Sequence, residues 1–587
     1  MNKLIQSLGT VLLAGTLFSC GPKQELKMWQ IDIVQGEENA TEVTTLETII
    51  GELQTALSNA VTSAQHAYQY ENTNTVDVFA GYLAVNRSTF QYGGPLPYTY
   101  SWPNDYYSSA GNIGPTDALY HAYTQAESFG KPEYKAIAQI VYGMTALRAT
   151  NVKGAISYVD SRNLKSSRPL AYQSQQEAYG MILSDLNEAI ATLEQVQPDA
   201  ATLQAIEGEK LAQGEATAAY SGYNWQNWVK LANTIKLRLA MCLAKPNPTL
   251  AQQVATEALS GIGVLDDDFG ATWVQGTTVH PVYSISSTKE GWADCRMNAS
   301  IENAMKRFAN PLIGSYFTTN SGQINDKTTG ASMLAAGKDY VGIRQGVTME
   351  PKSAGVGYYN FSEVNTPVKF IRCPWVCKEE VFFLKAEAAL RWGVGGSAQQ
   401  NYEDGIRASF SRYGVSGVDE YLARTEIERI NGKNIDYIDY YVNSNSCDGR
   451  IAIGVKWDES ESNETKLEKI LTQKWIAMFP NGGYEAWTDF RRTGYPRLFP
   501  VPEQNKWTAK GPFPVELQLR RVPYNESDEN VLIDIPNIEA ALTVFGITGL
   551  NGGGMRMYFE GDPAQYPWTY DEDESVYSYG WPIPKNF

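Results

Sequence analysis

Histidine is nearly missing from this chain: His66, His121 and His280 stand far apart among 587 residues. No H-E-x-x-H helix or other metal spacing includes them, and neither a G-x-S-x-G elbow nor a phosphate-binding loop occurs. Cysteine is scarce too. Beyond Cys20 there are Cys242, Cys295, Cys373, Cys377 and Cys447, an odd and thin set that excludes a disulfide scaffold. The pair Cys373 and Cys377 has no matching Cys/His pair nearby, so zinc has little support. Both read as buried small residues at the start of a helix or strand. Basic residues are in deficit, 48 Lys and Arg against 65 Asp and Glu, for a net charge of −17. A phosphate backbone needs the opposite surface, which argues against nucleic acid as a partner. After residue 20 no apolar run is long enough to span a bilayer.

What the chain does have begins at its N-terminus. Lys3 precedes the apolar stretch Val11–Thr16, and Leu17-Phe18-Ser19 leads to Cys20. A charged start, a short apolar run and a small residue before cysteine describe a lipoprotein signal. Cleavage leaves Cys20 as an acylated N-terminus and the body in water. The expected organisation is a signal at 1–19, an anchored linker at 20–42 and one unit at 43–587.

The body is mainly helical by pattern. Helical spacing runs through 43–66, 133–149, 174–194, 225–244, 248–260, 379–392, 398–412 and 465–479. Pro132 suits a first helical position, and Ser174 with Glu177 forms a capping-box pattern. Paired amphipathic helices resemble degenerate tetratricopeptide-type repeats. The scaffold is expected at 43–261 and 375–415, with a loop-rich part at 262–374 and 416–587. The few strand candidates are 451–455 and 515–519. The acidic runs 266–268 and 571–574 read as solvated turn or tail segments, with a structural calcium site as the alternative.

Four features together resemble the SusD/RagB family of outer-membrane lipoproteins. The first is Cys20. The second is N-W-Q-N-W-V-K-L-A-N-T-I-K-L-R-L-A at 224–240, and the third E-V-F-F-L-K-A-E-A-A at 380–389. The fourth is Q-K-W-I-A-M-F at 473–479 with E-A-W-T-D-F-R-R-T-G at 485–494. Arg520-Arg521-Val522-Pro523-Tyr524 adds a weaker match, with Asn525 in place of a second proline. These motifs read as structural. Trp228, Leu231, Ile235 and Leu239 share a core face, while Lys230, Lys236 and Arg238 lie on a solvated or salt-bridged flank. Asp489, Arg491 and Arg492 are expected to fix a loop.

The resemblance implies a cell-surface, lipid-anchored binding protein without chemistry of its own. Its partner would be a SusC-like TonB-dependent transporter, its ligand an oligosaccharide or, in the RagB-like alternative, a peptide. It implies no cofactor. Tyr outnumbers Phe, 36 to 19, and 14 Trp join them; such rings combine flat apolar faces with polar tips. The richest segment is 91–111, holding Tyr98, Trp102, Asn104 and Tyr107 among Gly and Pro. The family resemblance points to Trp102 and Asn104 as ligand contacts, although Trp102 or Tyr107 could instead pin the loop. A second segment offers Trp273, Tyr283 and Trp292, with Arg87 as a bidentate donor near the same face. A third is Tyr358-Tyr359-Asn360-Phe361. Two other classes stay open from sequence: a helical glycosidase or lyase, whose carboxylate pair is defined only in space, and a scaffold with no small ligand.

Overall fold

Residues 44–60, 65–88, 113–208, 220–270, 279–351, 357–430, 433–434, 436–501, 518–567 and 585–587 are described by the computed structural model. The longer helices are α1 (Leu46–Asn59), α2 (Thr116–Gln125), α3 (Pro132–Lys153), α4 (Gln175–Val196), α5 (Ala200–Glu207), α6 (Trp225–Leu243) and α7 (Pro248–Ala258). They continue as α8 (Ala299–Arg307), α9 (Lys378–Trp392), α10 (Ala398–Tyr413), α11 (Asn463–Ala477), α12 (Gly483–Thr493) and α13 (Glu529–Ala541). Sequential neighbours pack as pairs: α3 on α4, α6 on α7 and α9 on α10.

Local chemistry sets these boundaries. Pro132 occupies the first turn of α3, where its missing N–H costs nothing. Ser174 and Glu177 close the capping box of α4: the Ser174 amide donates to the Glu177 carboxylate at 2.8 Å and the Glu177 amide to Ser174 Oγ at 3.3 Å. In α6, Trp228 is fully buried, and its indole N–H donates to Glu207 at 2.9 Å. That bond satisfies the polar edge of a ring otherwise placed among Phe269 and Trp375.

The charged residues of the sequence motifs are buried and paired. Arg238 on α6 holds Glu380 on α9 through two bonds, of 2.6 and 2.5 Å. One helical stretch further along α9, Glu387 takes two bonds from Arg492 on α12, at 2.6 and 2.5 Å. Arg492 also donates to Asp489 at 2.9 Å, whose other oxygen lies 2.9 Å from Lys474 on α11. Burial alone would raise the Glu387 carboxyl, but the guanidiniums of Arg492 and Arg391 pull it down to about 2.

The strands are short. β1 (Leu83–Val85) and β2 (Cys295–Met297) pair antiparallel, with Leu83 opposite Met297 and Val85 opposite Cys295. Two further hairpin-like pairs join 324–325 to 332–334 and 429–430 to 433–434. Several expectations need correction. Ile451–Val455 forms no strand: its backbone is held by isolated bonds such as Val455 N–H to Arg424 O at 3.0 Å. Gly454 packs so closely on Thr425 that a Cβ would sit 2.4 Å from its carbonyl oxygen. In the 515–519 candidate only Gln518 and Leu519 are described, and Gln518 adopts φ +53, which breaks an extended run. The Asp489–Arg492 stretch does not fix a loop but lies within α12. In the acidic run at 266–268, Asp266 and Asp267 are exposed in a turn as expected, whereas Asp268 is drawn inward and held by Arg412 at 2.8 Å. The acidic run at 571–574 lies outside the described residues. Cys377 is the N-cap residue of α9, and Cys373 and Cys377 are buried free thiols.

Replacing Glu387 by Gln leaves two buried guanidiniums short of a carboxylate, which costs about 3–5 kcal/mol. A urea denaturation series should show the midpoint falling accordingly. The sign with pH follows from the lowered pKa. Wild-type stability from this group is present above its ordinary value of 4.5 and is lost as pH falls toward about 2. The Gln variant should lack that acid dependence, and an unchanged midpoint would contradict the pairing.

Candidate functional site

The β1–β2 pair does more than close a corner of the core. Its register carries Asn86 and Arg87, just past β1, against Ala293 and Asp294, just before β2. Both Asn86 Nδ2, at 3.0 Å, and the Arg87 guanidinium donate to the Ala293 carbonyl. Arg87 Nε also donates to Asn86 Oδ1 at 3.0 Å, and its guanidinium lies 3.7 Å from Asp294. Gln69 donates to the second Asp294 oxygen at 3.0 Å. Arg87 is therefore buried and anchored on both sides. Burial lowers its pKa while Asp294 and Tyr359 offset that loss.

Two rings flank this anchor. Trp292 directly precedes Ala293, is half-buried, and is fixed by its amide bond to Ser284 O at 2.9 Å. Tyr359, also half-buried, has the Arg87 and Arg296 guanidiniums over its ring at 5.6 and 5.1 Å from the centroid. Arg296 donates twice to the Tyr359 carbonyl, at 2.9 and 2.8 Å. Cations over an aromatic face are worth about 0.5–2 kcal/mol each, so the ring is held in one orientation. A third contribution comes from the short helix Gln65–Tyr68 and the π-helical turn Gln69–Val76 that follows it. His66, exposed, meets Tyr70 at 4.6 Å and the edge of Trp292 at 6.4 Å.

The sequence candidates fall into three groups. Arg87 and Trp292 meet at one place, joined there by Tyr359. Tyr283 is buried instead: its hydroxyl donates to Glu290 at 3.2 Å, and Lys369 lies 5.4 Å from its ring centroid. Tyr358 and Phe361 belong to the core, with the Tyr358 hydroxyl on Asp439 at 2.7 Å. Cys20, Tyr98, Trp102, Asn104, Tyr107 and Trp273 lie outside the described residues. His66 and Tyr70 were missed from sequence, although an aromatic pair four residues apart ahead of a polar run was a usable signal.

The second half of the π-helical turn, with Asp77 directly after it, is unusually buried. Among the described residues, Thr73 Oγ1, both side-chain polar atoms of Asn74 and Asp77 Oδ2 find no hydrogen-bond partner. Burial pushes the Asp77 carboxyl up to about 8, which favours its neutral form. π-helical turns concentrate at functional sites because they put side chains where an α-helix cannot. No group of three His, Cys, Asp or Glu able to hold a metal occurs among the described residues.

Two substitutions test this geometry. A Cβ at Gly291 would lie 1.7 Å from the Ser284 carbonyl oxygen, so Gly291→Ala must displace the turn that carries Trp292. Its tryptophan emission should shift red, and an unshifted spectrum would deny that the turn is tightly seated. Asp77 has a folded pKa of about 8 against an ordinary 3.8. Stability linked to it is complete below 3.8 and is lost as pH rises toward about 8. Asp77→Asn should therefore raise the thermal midpoint more at pH 8 than at pH 4; an equal effect at both would contradict a buried neutral acid.

Residues 30–560 match the family model described as SusD-like, the SusD and RagB outer-membrane lipoproteins. Among solved structures, a chitin-binding SusD homologue from Flavobacterium johnsoniae is 28% identical with a TM-score of 0.67, covering 88% of this chain and 98% of its own. A SusD homologue from Bacteroides vulgatus is 25% identical with a TM-score of 0.70, covering 88% and 98%. One from Bacteroides uniformis is 26% identical with a TM-score of 0.68, covering 88% and 100%. No curated protein matches the sequence. No helix among the described residues is long and apolar enough to cross a membrane, and with a family match over nearly its whole length the chain belongs to the SusD-like family of outer-membrane lipoproteins.

Proposed function

We propose that this protein captures an oligosaccharide at the face carrying Trp292, Tyr359 and Arg87, does no chemistry on it, and passes it to a SusC-like TonB-dependent transporter. The observation that carries the reading is the convergence of half-buried rings from separate segments around one anchored arginine. Rings held by fixed polar partners present flat faces at little entropic cost, which suits the C–H faces of sugars. In sequence, the run with Tyr98, Trp102, Asn104 and Tyr107 follows closely on Ser88, and these residues are proposed as further contacts, together with Trp273. Ser88 itself is tied to the Glu350 carbonyl at 2.9 Å. Tyr283 would act from behind, bracing the segment that carries Trp292. The chitin-binding homologue supports a glycan ligand by its own activity.

Acylation at Cys20 would hold the protein on the outer membrane, facing outward beside its transporter. Capture without turnover also accounts for the lack of a catalytic pattern in the sequence. Affinity electrophoresis over a panel of polysaccharides, with product analysis, tests the reading. One glycan class should retard the protein without new reducing ends, and Trp292→Ala should weaken retention about tenfold, the effect of losing one stacked, buried ring face. New reducing ends would mean an enzyme. Binding of peptides alone would replace the glycan by an oligopeptide, and retention indifferent to Trp292 would move the site elsewhere.

A further inference from the structure

The Trp292–Tyr359 face continues past Tyr359. Ser88, the residue after Arg87, donates its amide to the Glu350 carbonyl at 2.9 Å, which brings a second segment alongside. Ala84 of β1, Met349, Tyr358 and Phe361 belong to one small core, and Tyr441 packs against it. Tyr358 precedes Tyr359 in the helical turn Gly357–Asn360, and its ring meets the Tyr441 ring edge-on at 5.0 Å. Asp439 ties the two together. One of its oxygens accepts from the Tyr358 hydroxyl at 2.7 Å, the other from the Tyr441 amide at 2.9 Å. The buried residues that seat Tyr359 therefore seat Tyr441 as well.

One acid and one base stand at the half-buried Tyr441 ring. The Tyr441 hydroxyl donates to Glu350 Oε2 at 2.7 Å. Lys327 Nζ lies 2.9 Å from Glu350 Oε1 and 5.9 Å from the Tyr441 ring centroid. The turn that carries Lys327 is fixed in its own right: the Lys327 amide donates to the Tyr441 carbonyl at 2.8 Å, and Asp326 accepts from the Thr328 and Thr329 amides at 3.0 and 2.7 Å. Unlike Arg87, these groups are open to solvent, the Lys327 side chain 43% and the Glu350 side chain 34% exposed. Hydrogen bonds from Tyr441 and Lys327 hold the Glu350 carboxyl below its usual range. It stays an acceptor, and its two oxygens keep lone pairs beyond the two already used. The two charges cancel, so the group offers donors and acceptors without a net sign.

We propose that Tyr441, Glu350 and Lys327 form a second subsite of the capture face, which takes a further sugar of an uncharged oligosaccharide already seated at Trp292 and Tyr359. Glu350 accepts from neighbouring hydroxyls of that sugar, Lys327 donates to one of its oxygens, and Tyr441 offers a ring face. A uronic acid at this place would set its carboxylate against Glu350, so the subsite selects neutral glycans. The inference rests on the capture reading and adds to it the extent of the site and the class of sugar.

Calorimetry on the full chain in detergent decides it. The neutral probes are maltohexaose, cellohexaose, laminarihexaose, mannohexaose, xylohexaose and chitohexaose, and the acidic probe is hexagalacturonate. At least one neutral hexaose should bind, more tightly than hexagalacturonate. For that hexaose, Glu350→Ala should cost about tenfold in affinity, and Lys327→Ala a smaller loss in the same direction. The disaccharide of the same series should weaken with Trp292→Ala but not with Glu350→Ala, because it reaches only the first subsite. An exposed ion pair adds little to folding, so the thermal midpoints of Glu350→Ala and Lys327→Ala should match the wild type. A hexaose weakened by Trp292→Ala alone, a disaccharide as sensitive to Glu350→Ala as the hexaose, or hexagalacturonate binding as tightly as the neutral hexaose would overturn the second subsite and leave the capture reading standing. Indifference to Trp292→Ala, or no heat from any hexaose, would remove the capture reading and the subsite together.

Discussion

Buried charge is the constraint from which the rest of this molecule follows. Glu380 and Glu387, seven residues apart on α9, each bind an arginine on a different helix, Arg238 on α6 and Arg492 on α12. A carboxylate without its partner would carry a large desolvation cost in such a setting, so the pairs act as a register that only one arrangement of helices satisfies. Between them lies a cavity of about 40 Å3, where Arg148, Arg238, Glu485 and Asp489 meet the apolar side chains of Met144, Leu147 and Met241. That is room for a water molecule or two serving the remaining polar atoms.

This web reaches the proposed ligand face through named contacts. α12, held by Arg492, presses its first residue onto the end of the π-helical turn: a Cβ at Gly483 would lie 3.1 Å from Val76 Cγ2 and 2.2 Å from Oδ1 of the next residue, Asp77. Trp475 on α11 donates to the Ala80 carbonyl at 2.8 Å, and Tyr82 donates to the Trp475 carbonyl at 2.6 Å. These bonds seat β1, β1 aligns β2, and the pair carries Arg87 to Ala293 and so fixes Trp292. Rigid helices thus set the position of a few rings at their edge, and a preorganised surface of this kind loses little entropy on binding.

Much of the scaffold was legible because its signals are local. Ser174 and Glu177 announce α4, Pro132 announces α3, and Trp228 to Leu239 repeat at helical spacing. The motif around Asp489–Arg492 was harder to read. Ala486, Trp487 and Phe490 do recur at helical spacing, but Asp489, Arg491 and Arg492 are buried beside them, and so dense a run of charges reads as a loop. α13 was hidden by Pro536 within it. The 451–455 strand failed for another reason: its residues are apolar, but among the described residues no strand edge lies beside it, and Gly454 serves a close approach to Thr425.

The candidate site was legible only in part. Arg87 and Trp292 were found as residue types in polar, Gly-rich surroundings, but their meeting depends on the β1–β2 register. Tyr283 had the same signature and is buried, because Glu290 and Lys369 close over it. Exposure of an aromatic is a tertiary property that composition does not carry. His66 and Tyr70 left a local signal in their four-residue spacing, but their place beside Trp292 is likewise tertiary.

The protein is proposed to bind its glycan at one face without turnover. Hydrogen–deuterium exchange of the full chain, with and without a saturating polysaccharide that retards it in electrophoresis, tests that claim most directly. Slower exchange should concentrate at residues 66–70, 86–88, 291–294 and 357–360, while the polysaccharide is recovered intact. Protection confined to other segments, or a shortened polysaccharide, would contradict the account.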